Sequence, residues 1–420
     1  MTAQSARAVP DVPYVESQTW SNWSQLATST PAYTMRPRTE DEVAECIRFA
    51  IDNDLPVRPV GTGHSWTGLC STNGVQIDVS ALTGVRVVDR ERKLVAVMAG
   101  TTIWDLGEAL WDEGFSLKNQ GDIDVQTVAG ALSTGTHGSG IDLGILASSV
   151  RRVRLVNGLG NVVEITEADP DALRAAQVSL GMLGIIVEVD LEVVDRYYLE
   201  EEVTYPTWDE LLDGWDRDIA DNRHSSWFWF PDDASPPLYQ LPVPEGVSVV
   251  DRAHLRRINV AEGPARQLDG ERRVDRNYLI YHGEFTGPYY EFEIFVPAEH
   301  AREAMVRIRQ IVQTTRPWEK FPVQPRWVKG DDAFLSPAYK VDSVGISVSG
   351  NASTDYNDYF REVYAALKEF GPRMHWGKVH FLRRDDLDEM YPELGKFDEA
   401  RHRFDPNGLF LNDYTRTLFG

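Results

Sequence analysis

The 420-residue chain predicts an α+β protein of two domains. Its length allows two domains and a large core. Short β-runs alternate with amphipathic helices as far as about Asp195. The texture then changes to an aromatic-rich stretch, with Tyr197, Tyr198, Trp208, Trp215 and the run Trp227 to Phe230, which opens a second strand-and-helix region to about residue 374.

Residues 1–14 read as a flexible arm. Thr39 followed by Glu42 marks a helix start, and apolar Val43, Cys46, Ile47 and Ala50 share one helix face before Asn53-Asp54 ends it. A buried strand, Leu55 to Val60, leads into a glycine turn. Further β-runs are Val75–Val79, Gly84–Val88 and Leu94–Ala99, and Thr101–Trp111 reads as a helix. Strands Val150–Val156 and Val162–Ile165 are joined by an Asn157-Gly158 turn; a helix over Asp169–Val178 and a strand over Ile185–Val193 follow. Trp227–Phe230 reads as core, and residues 246–276, charged and weakly patterned, read as a surface excursion. Strands are expected at Tyr289–Val296, Pro322–Val328 and Val344–Ser349, and helices at Ala298–Gln313, Asp355–Phe370 and Phe397–Phe404. A Pro406-Asn407-Gly408 turn and a short extended segment end the chain.

The net charge of −23 argues against nucleic-acid or anionic-membrane partners, since phosphates need a cationic surface. Two cysteines, Cys46 and Cys70, give neither a zinc spacing nor a disulfide framework; both read as small buried residues, Cys70 near a possible site, and no metal site is expected. No apolar run spans a bilayer and residues 1–12 lack a signal-peptide core, so the expected location is cytoplasmic.

Two stretches carry chemistry. In Pro59-Val60-Gly61-Thr62-Gly63-His64-Ser65, two glycines flanking one residue let backbone N–H groups converge on a phosphate, with His64 beside it. From Gly121 to Gly140, small and hydroxyl residues crowd together from Thr127 onward, ending in Gly135-Thr136-His137-Gly138-Ser139-Gly140. Such a run suits an extended polar cofactor. Val128–Leu132 is too apolar for a solvated linker.

These motifs, followed by His375-Trp376-Gly377-Lys378 and Asp405-Pro406…Phe410-Leu411-Asn412, occur in an order and spacing that resembles the aldonolactone oxidase and alditol oxidase group of vanillyl-alcohol-oxidase-type flavoproteins. The resemblance runs from about Trp20 to Gly420 and is weakest between Tyr205 and Tyr281. It implies the two-domain FAD-linked oxidase fold: a two-part FAD-binding domain over 15–195, a substrate cap over 196–374 and a segment, 375–420, returning to the FAD domain. It implies FAD bonded through His64, with Pro59 to Ser65 along the pyrophosphate. Gly121, Asp122, Thr127, Gly130, Thr134, Gly135, Thr136, His137, Ile185 and Lys378 fall on cofactor-contact positions. The implied reaction moves hydride from a substrate CH–OH to flavin N5. Lys378 and Arg326 match the family's catalytic cations, and the alternative for each is a structural salt bridge. O2 is the implied acceptor, giving hydrogen peroxide, because Gly121 falls beside flavin C4a. A dehydrogenase with another acceptor, a flavin-dependent epimerase and a non-catalytic binding module are the alternatives. The implied partner is one small molecule, and the protein itself a monomer or homodimer.

Three positions depart from the family pattern. The usual Glu-x-Arg reads Gln324-Pro325-Arg326, and Ser347 and Ser349 stand where alditol oxidases place a histidine and a threonine. With the substrate set taken as Gln324, Arg326, Ser347, Ser349 and Asp122, and Gln324 grouped with Arg326 and Lys378 as catalytic, the implied pocket is more cationic than the family's. That points to a substrate bearing a carboxylate or phosphate, or to a modified sugar, unless Asp122 neutralises the cations internally.

Overall fold

The computed structural model describes residues 8–270, 272–283 and 289–420. It has the expected mixed α+β, two-domain FAD-binding architecture, built on three main sheets. In the first, Tyr33–Met35, Val75–Asp78 and Val57–Val60 run parallel, with Tyr14–Glu16 antiparallel at one edge. Thr39 caps the Glu40–Asp52 helix by accepting from the Glu42 N–H, and that helix buries Val43, Cys46, Ile47 and Ala50 in the apolar cluster that also holds Met35 and Val57. The second sheet is antiparallel, in the order Val162–Thr166, Val150–Val156, Ile185–Glu192, Leu94–Met98, Val85–Asp89. One apolar cluster holds these sheets and the C-terminal residues Trp376, Phe397, Phe410 and Leu418 together.

The third sheet has nine antiparallel strands. Its centre is Tyr198–Thr204, Arg252–Ala261, His224–Phe230, Gln324–Val328, Ser343–Gly350 and Tyr290–Pro297, each paired with the next. Successive residues of a strand face opposite sides. One side, with Trp227, Trp229, Leu255, Phe292, Ile294, Val344 and Ile346, is packed by helices Trp208–Ala220, Ala301–Thr314 and Tyr356–Leu367. The other side carries Ser226, Phe228, His254, Arg256, Gln324, Arg326, Ser347, Glu291 and Glu293, and faces the first domain.

Three expectations are corrected. Residues 246–276 are not a surface excursion: they contain the ten-residue Arg252–Ala261 strand at the middle of the largest sheet. Its charges are consumed by ion pairs, Arg256 with Glu201 and Asp122 and Arg257 with Asp218, so the polar composition hides a buried element. The arm expected over 1–14 lies outside the described residues as far as residue 7; beyond it Val12 is buried in the core and the Arg36 N–H donates to the Pro13 carbonyl at 2.8 Å. The tail after Asn412 is a capped helix, Asp413–Phe419, because the Asn412 side chain accepts from the Thr415 N–H. Among the described residues no helix is long and apolar enough to cross a membrane.

Candidate active site

A cleft of about 1430 Å³, counting its open mouth, runs between the first sheet and the polar side of the nine-stranded sheet. Its near end is the turn after the Val57–Val60 strand. Pro59 to Ser65 all line it. Gly63 sits at φ +64°, a left-handed conformation that favours glycine, and a Cβ on Gly61 would stand 2.2 Å from Thr127 Oγ1. Thr127 in turn caps the Val128–Ser133 helix through the Gly130 N–H, so the two glycine-containing stretches meet at this point. Of the second stretch, Gly121, Asp122, Thr127, Gly130, Thr134, Thr136 and His137 line the cleft.

Three predicted positions do not. Ile185 turns away into the core while its neighbours Gly184 and Ile186 line the cleft. Gly135 packs against Pro337. Ser349 lies behind Tyr239, whose hydroxyl bonds its Oγ at 2.5 Å; the Tyr239 ring takes the lining position.

The His64 ring lies 4.7 Å from the Trp23 ring, tilted at 36°, and its Nε2 is buried with no hydrogen-bond partner among the described residues. Burial, helped by the charge of Lys378, pushes its pKa down to about 4, so the imidazole is neutral. The Trp66 N–H, two residues on, donates to the Gly377 carbonyl at 2.7 Å, which docks the first motif on the third. Arg58, 1 % exposed, donates to the carbonyls of Leu69, Leu180, Gly181 and Phe410, which ties in the fourth.

The far end is a cluster of charges. Lys378 lies in a turn, 2.5 Å from Glu291 and 4.2 Å from the Trp66 ring centre. Its segment runs along the Tyr290–Pro297 strand, with the His375 N–H on the Glu293 carbonyl at 3.1 Å and the Val379 N–H on the Glu291 carbonyl at 2.8 Å. Arg326 donates to Glu293 Oε1 at 2.6 Å, and His137 Nε2 reaches the same oxygen at 3.0 Å. Burial opposes charge on Glu293, yet Arg326 and His137 hold its carboxyl well below the usual range. Burial, reinforced by Lys378, drives His375 well below its ordinary value. Ser347 donates to the second oxygen of Glu291 at 2.7 Å.

Glu291 and Glu293 thus supply the carboxylates missing at Gln324. Both cations are paired, which removes the premise of an unpaired cationic pocket and an anionic substrate. Asp122 makes its own ion pair with Arg256 at 2.9 Å and acts on Arg326 only at longer range, behind Glu293 and Glu291. In the sequence the two glutamates are only alternate residues of a strand, with Phe292 between them in the core, a pattern that does not say what their face meets. The donor atoms of His137, Glu293 and His375 fall within 4.8 Å of one another, but the Arg326 guanidinium on the same carboxylate opposes a metal cation there.

FAD fits this cavity: it extends from the glycine turn, where a Cβ on Gly61 has no room, to the charged cluster, and presents an orphaned imidazole nitrogen. Comparison with known proteins agrees. A family model described as FAD binding domain matches residues 31–166, and one described as D-arabinono-1,4-lactone oxidase matches 243–418. The chain is 34% identical to the L-gulono-1,4-lactone dehydrogenase of Mycobacterium tuberculosis, covering 96% of this chain and 100% of that protein. It is 28% identical to the L-gulonolactone oxidase of Mus musculus (95% and 98% covered) and 27% identical to the alditol oxidase of a Streptomyces species (95% and 98%). A solvent-stable cholesterol oxidase shares the fold, with a TM-score of 0.83 at 16% identity and 98% of both chains covered. The protein is an FAD-dependent oxidoreductase, and it belongs to the aldonolactone and alditol oxidase family.

Proposed function

We propose that the protein oxidises a CH–OH group of a neutral, sugar-derived lactone or polyol, with FAD attached through His64. The observation that carries this reading is the single cleft that joins the glycine turn to the paired charges Lys378–Glu291 and Arg326–Glu293. Charge balance within the cluster favours a neutral hydroxylated substrate. In this reading residues 15–195 and 375–420 hold the cofactor and 196–374 hold the substrate.

When bound, FAD supplies the acceptor for the hydride lost from the substrate carbon. Arg326, Gln324 and Ser347 border the substrate end and orient its oxygens. Lys378 brings a positive charge to the place where negative charge grows during transfer. Phe228, Tyr239 and Tyr289 form apolar walls that limit water. The small size of Gly121 does not argue for an oxidase, because a Cβ there would meet the His137 carbonyl at 2.9 Å; packing alone accounts for the glycine.

The test is anaerobic bleaching of the bound flavin by L-gulono-1,4-lactone, D-arabinono-1,4-lactone and xylitol, against the matching sugar acids. Bleaching by a lactone or polyol supports the reading. Bleaching by acids alone overturns it. Hydrogen peroxide formation in air, set against reduction of an artificial dye, then separates oxidase from dehydrogenase.

A further inference from the structure

Cross-strand register places Gln324, Ser347 and Glu293 side by side on three adjacent strands, with Arg326 two residues from Gln324 on the same face. Three buried polar atoms in this row lack a partner among the described residues: Glu293 Oε2, Gln324 Nε2 and Arg326 Nε. Both oxygens of Glu291 are taken, by Ser347 and by Lys378. Glu293 uses only Oε1, and its side chain is 0% exposed. Buried polar groups left unpaired are costly, and each belongs to a residue lining the cleft. The row therefore offers one charged acceptor flanked by two donors.

Resting on the proposed oxidation, we propose that Glu293 is the proton-accepting carboxylate and that Gln324 and Arg326 select a substrate with an acceptor-only oxygen next to the reacting hydroxyl, which is the pattern of an α-hydroxy lactone. The hydroxyl donates to Glu293 Oε2, and the lactone carbonyl, with lone pairs and no hydrogen, receives from Gln324 and Arg326. As the C–H bond breaks, its electron pair leaves with hydrogen as hydride to FAD. The O–H bond breaks, its electrons close the C=O bond, and the proton passes to Glu293 Oε2, giving a carboxylic acid and a 2-keto lactone. A carboxylate held ionised by Arg326 and His137 is a weak base, but an alcohol losing hydride becomes a strong acid, so a weak base suffices. A carboxylate at position 324 would offer lone pairs to the carbonyl and repel it; the amide attracts it. A polyol presents a hydroxyl there, which either group can serve, so residue 324 sets the ratio between the two substrate classes.

The test uses the flavin-loaded protein and the variants E293Q, Q324E and E293Q/Q324E. Stopped-flow flavin reduction is measured with L-gulono-1,4-lactone and with xylitol, together with flavin content, melting temperature and the dissociation constant of a 2-deoxy lactone read from flavin absorbance. E293Q is expected to slow reduction by the lactone about 10²-fold, the scale of a lost general base, with flavin content unchanged and a loss of 2-deoxy lactone binding, through the loosened Arg326, much smaller than the loss of rate. Q324E is expected to weaken the 2-deoxy lactone by about 10-fold, the scale of roughly 1.4 kcal/mol, and to move the lactone-to-polyol ratio toward the polyol by a similar factor. The double variant recovers part of the lost rate on xylitol. Lactone reduction by E293Q within about threefold of wild type, or an unchanged ratio in Q324E, overturns the proposal. Should E293Q not fold, the ratio and 2-deoxy binding of Q324E decide alone. A wild type that oxidises neither class instead overturns the functional reading, and 2-deoxy binding equal in wild type and Q324E would then reject this proposal too.

Discussion

Gly345 lies in register between Arg326 and Phe295, and a Cβ on it would come within 2.9 Å of the Phe295 ring and 3.1 Å of Glu293 Oε1. Its bare backbone is what lets the Glu293 carboxylate lean across a strand to Arg326. Gly345→Ala is expected to push that carboxylate aside, slow flavin reduction by about tenfold or more and destabilise the protein by about 1–3 kcal/mol, as overpacking does. Paired rate and urea-denaturation measurements check it, and an unchanged rate would show that the Glu293–Arg326 contact is unimportant. His64 gives a second residue-level prediction. Its neutral ring and unpaired Nε2 suit a covalent bond to the flavin, so His64→Ala should release all flavin fluorescence into the supernatant on acid precipitation, whereas the parent protein retains it. The sequence marked His64, Arg326 and Lys378 because motif spacing carries them. It did not mark Glu291 and Glu293, since a glutamate on every second position of a strand looks the same whether its face meets water or a closed cavity. Only the pairing of that strand with Ser343–Gly350 tells which.

Among elements, the Val57–Val60 strand has more tied to it than its four residues suggest. The Arg58 guanidinium, with its pKa lowered to about 10 by burial, has only main-chain carbonyls as hydrogen-bond partners among the described residues, from the 69 turn, the 180–181 loop and Phe410 of the C-terminal segment. Arg58→Met removes every one of those donors, and each buried carbonyl left without a donor costs about 1–3 kcal/mol. The expected result is a lower melting temperature and faster amide exchange over residues 405–419, ahead of global unfolding. Exchange rising uniformly along the chain would instead mean that Arg58 supports the core and not the docking of the tail. Elements whose apolar period is plain were legible in the sequence: the Glu40–Asp52 and Ala301–Thr314 helices and the Ile185–Glu192 strand appear where expected. The Arg252–Ala261 strand was missed because its polar residues face a closed, ion-paired interior, so its composition imitates a surface.

At the scale of the whole molecule, the four motifs come together through a few main-chain carbonyls and one close approach: the Trp66 N–H donates to the Gly377 carbonyl, the Arg58 guanidinium to the Phe410 carbonyl, and Gly61 packs on Thr127, contacts that sequence reports only through ordered spacing. The same closure buries histidines in neutral form, and this has a consequence for pH. Burial lowers His224 to about 3 and His254 to about 4, and His375 lies well below its ordinary value. In the unfolded chain each titrates near 6.5. Between about pH 4 and 6.5 the unfolded chain therefore binds more protons than the folded one, so stability from these groups is complete above 6.5 and is lost as pH falls. His64 and His380, each lowered to about 4 by burial, act in the same direction, while Asp331, raised to about 6 by burial, and Glu319 and Asp405, also raised by burial, oppose them over part of that window. Each histidine contributes a slope of about 1.4 kcal/mol per pH unit where its two forms differ by a full proton. Unfolding free energy measured in urea at pH 7, 6 and 5 should fall steadily, and His254→Asn should reduce the slope by about one proton's worth. A profile that is flat from pH 7 to 5 would mean that these rings take up protons in the folded protein as readily as in the unfolded one, and that the polar side of the central sheet is wetter than its burial indicates.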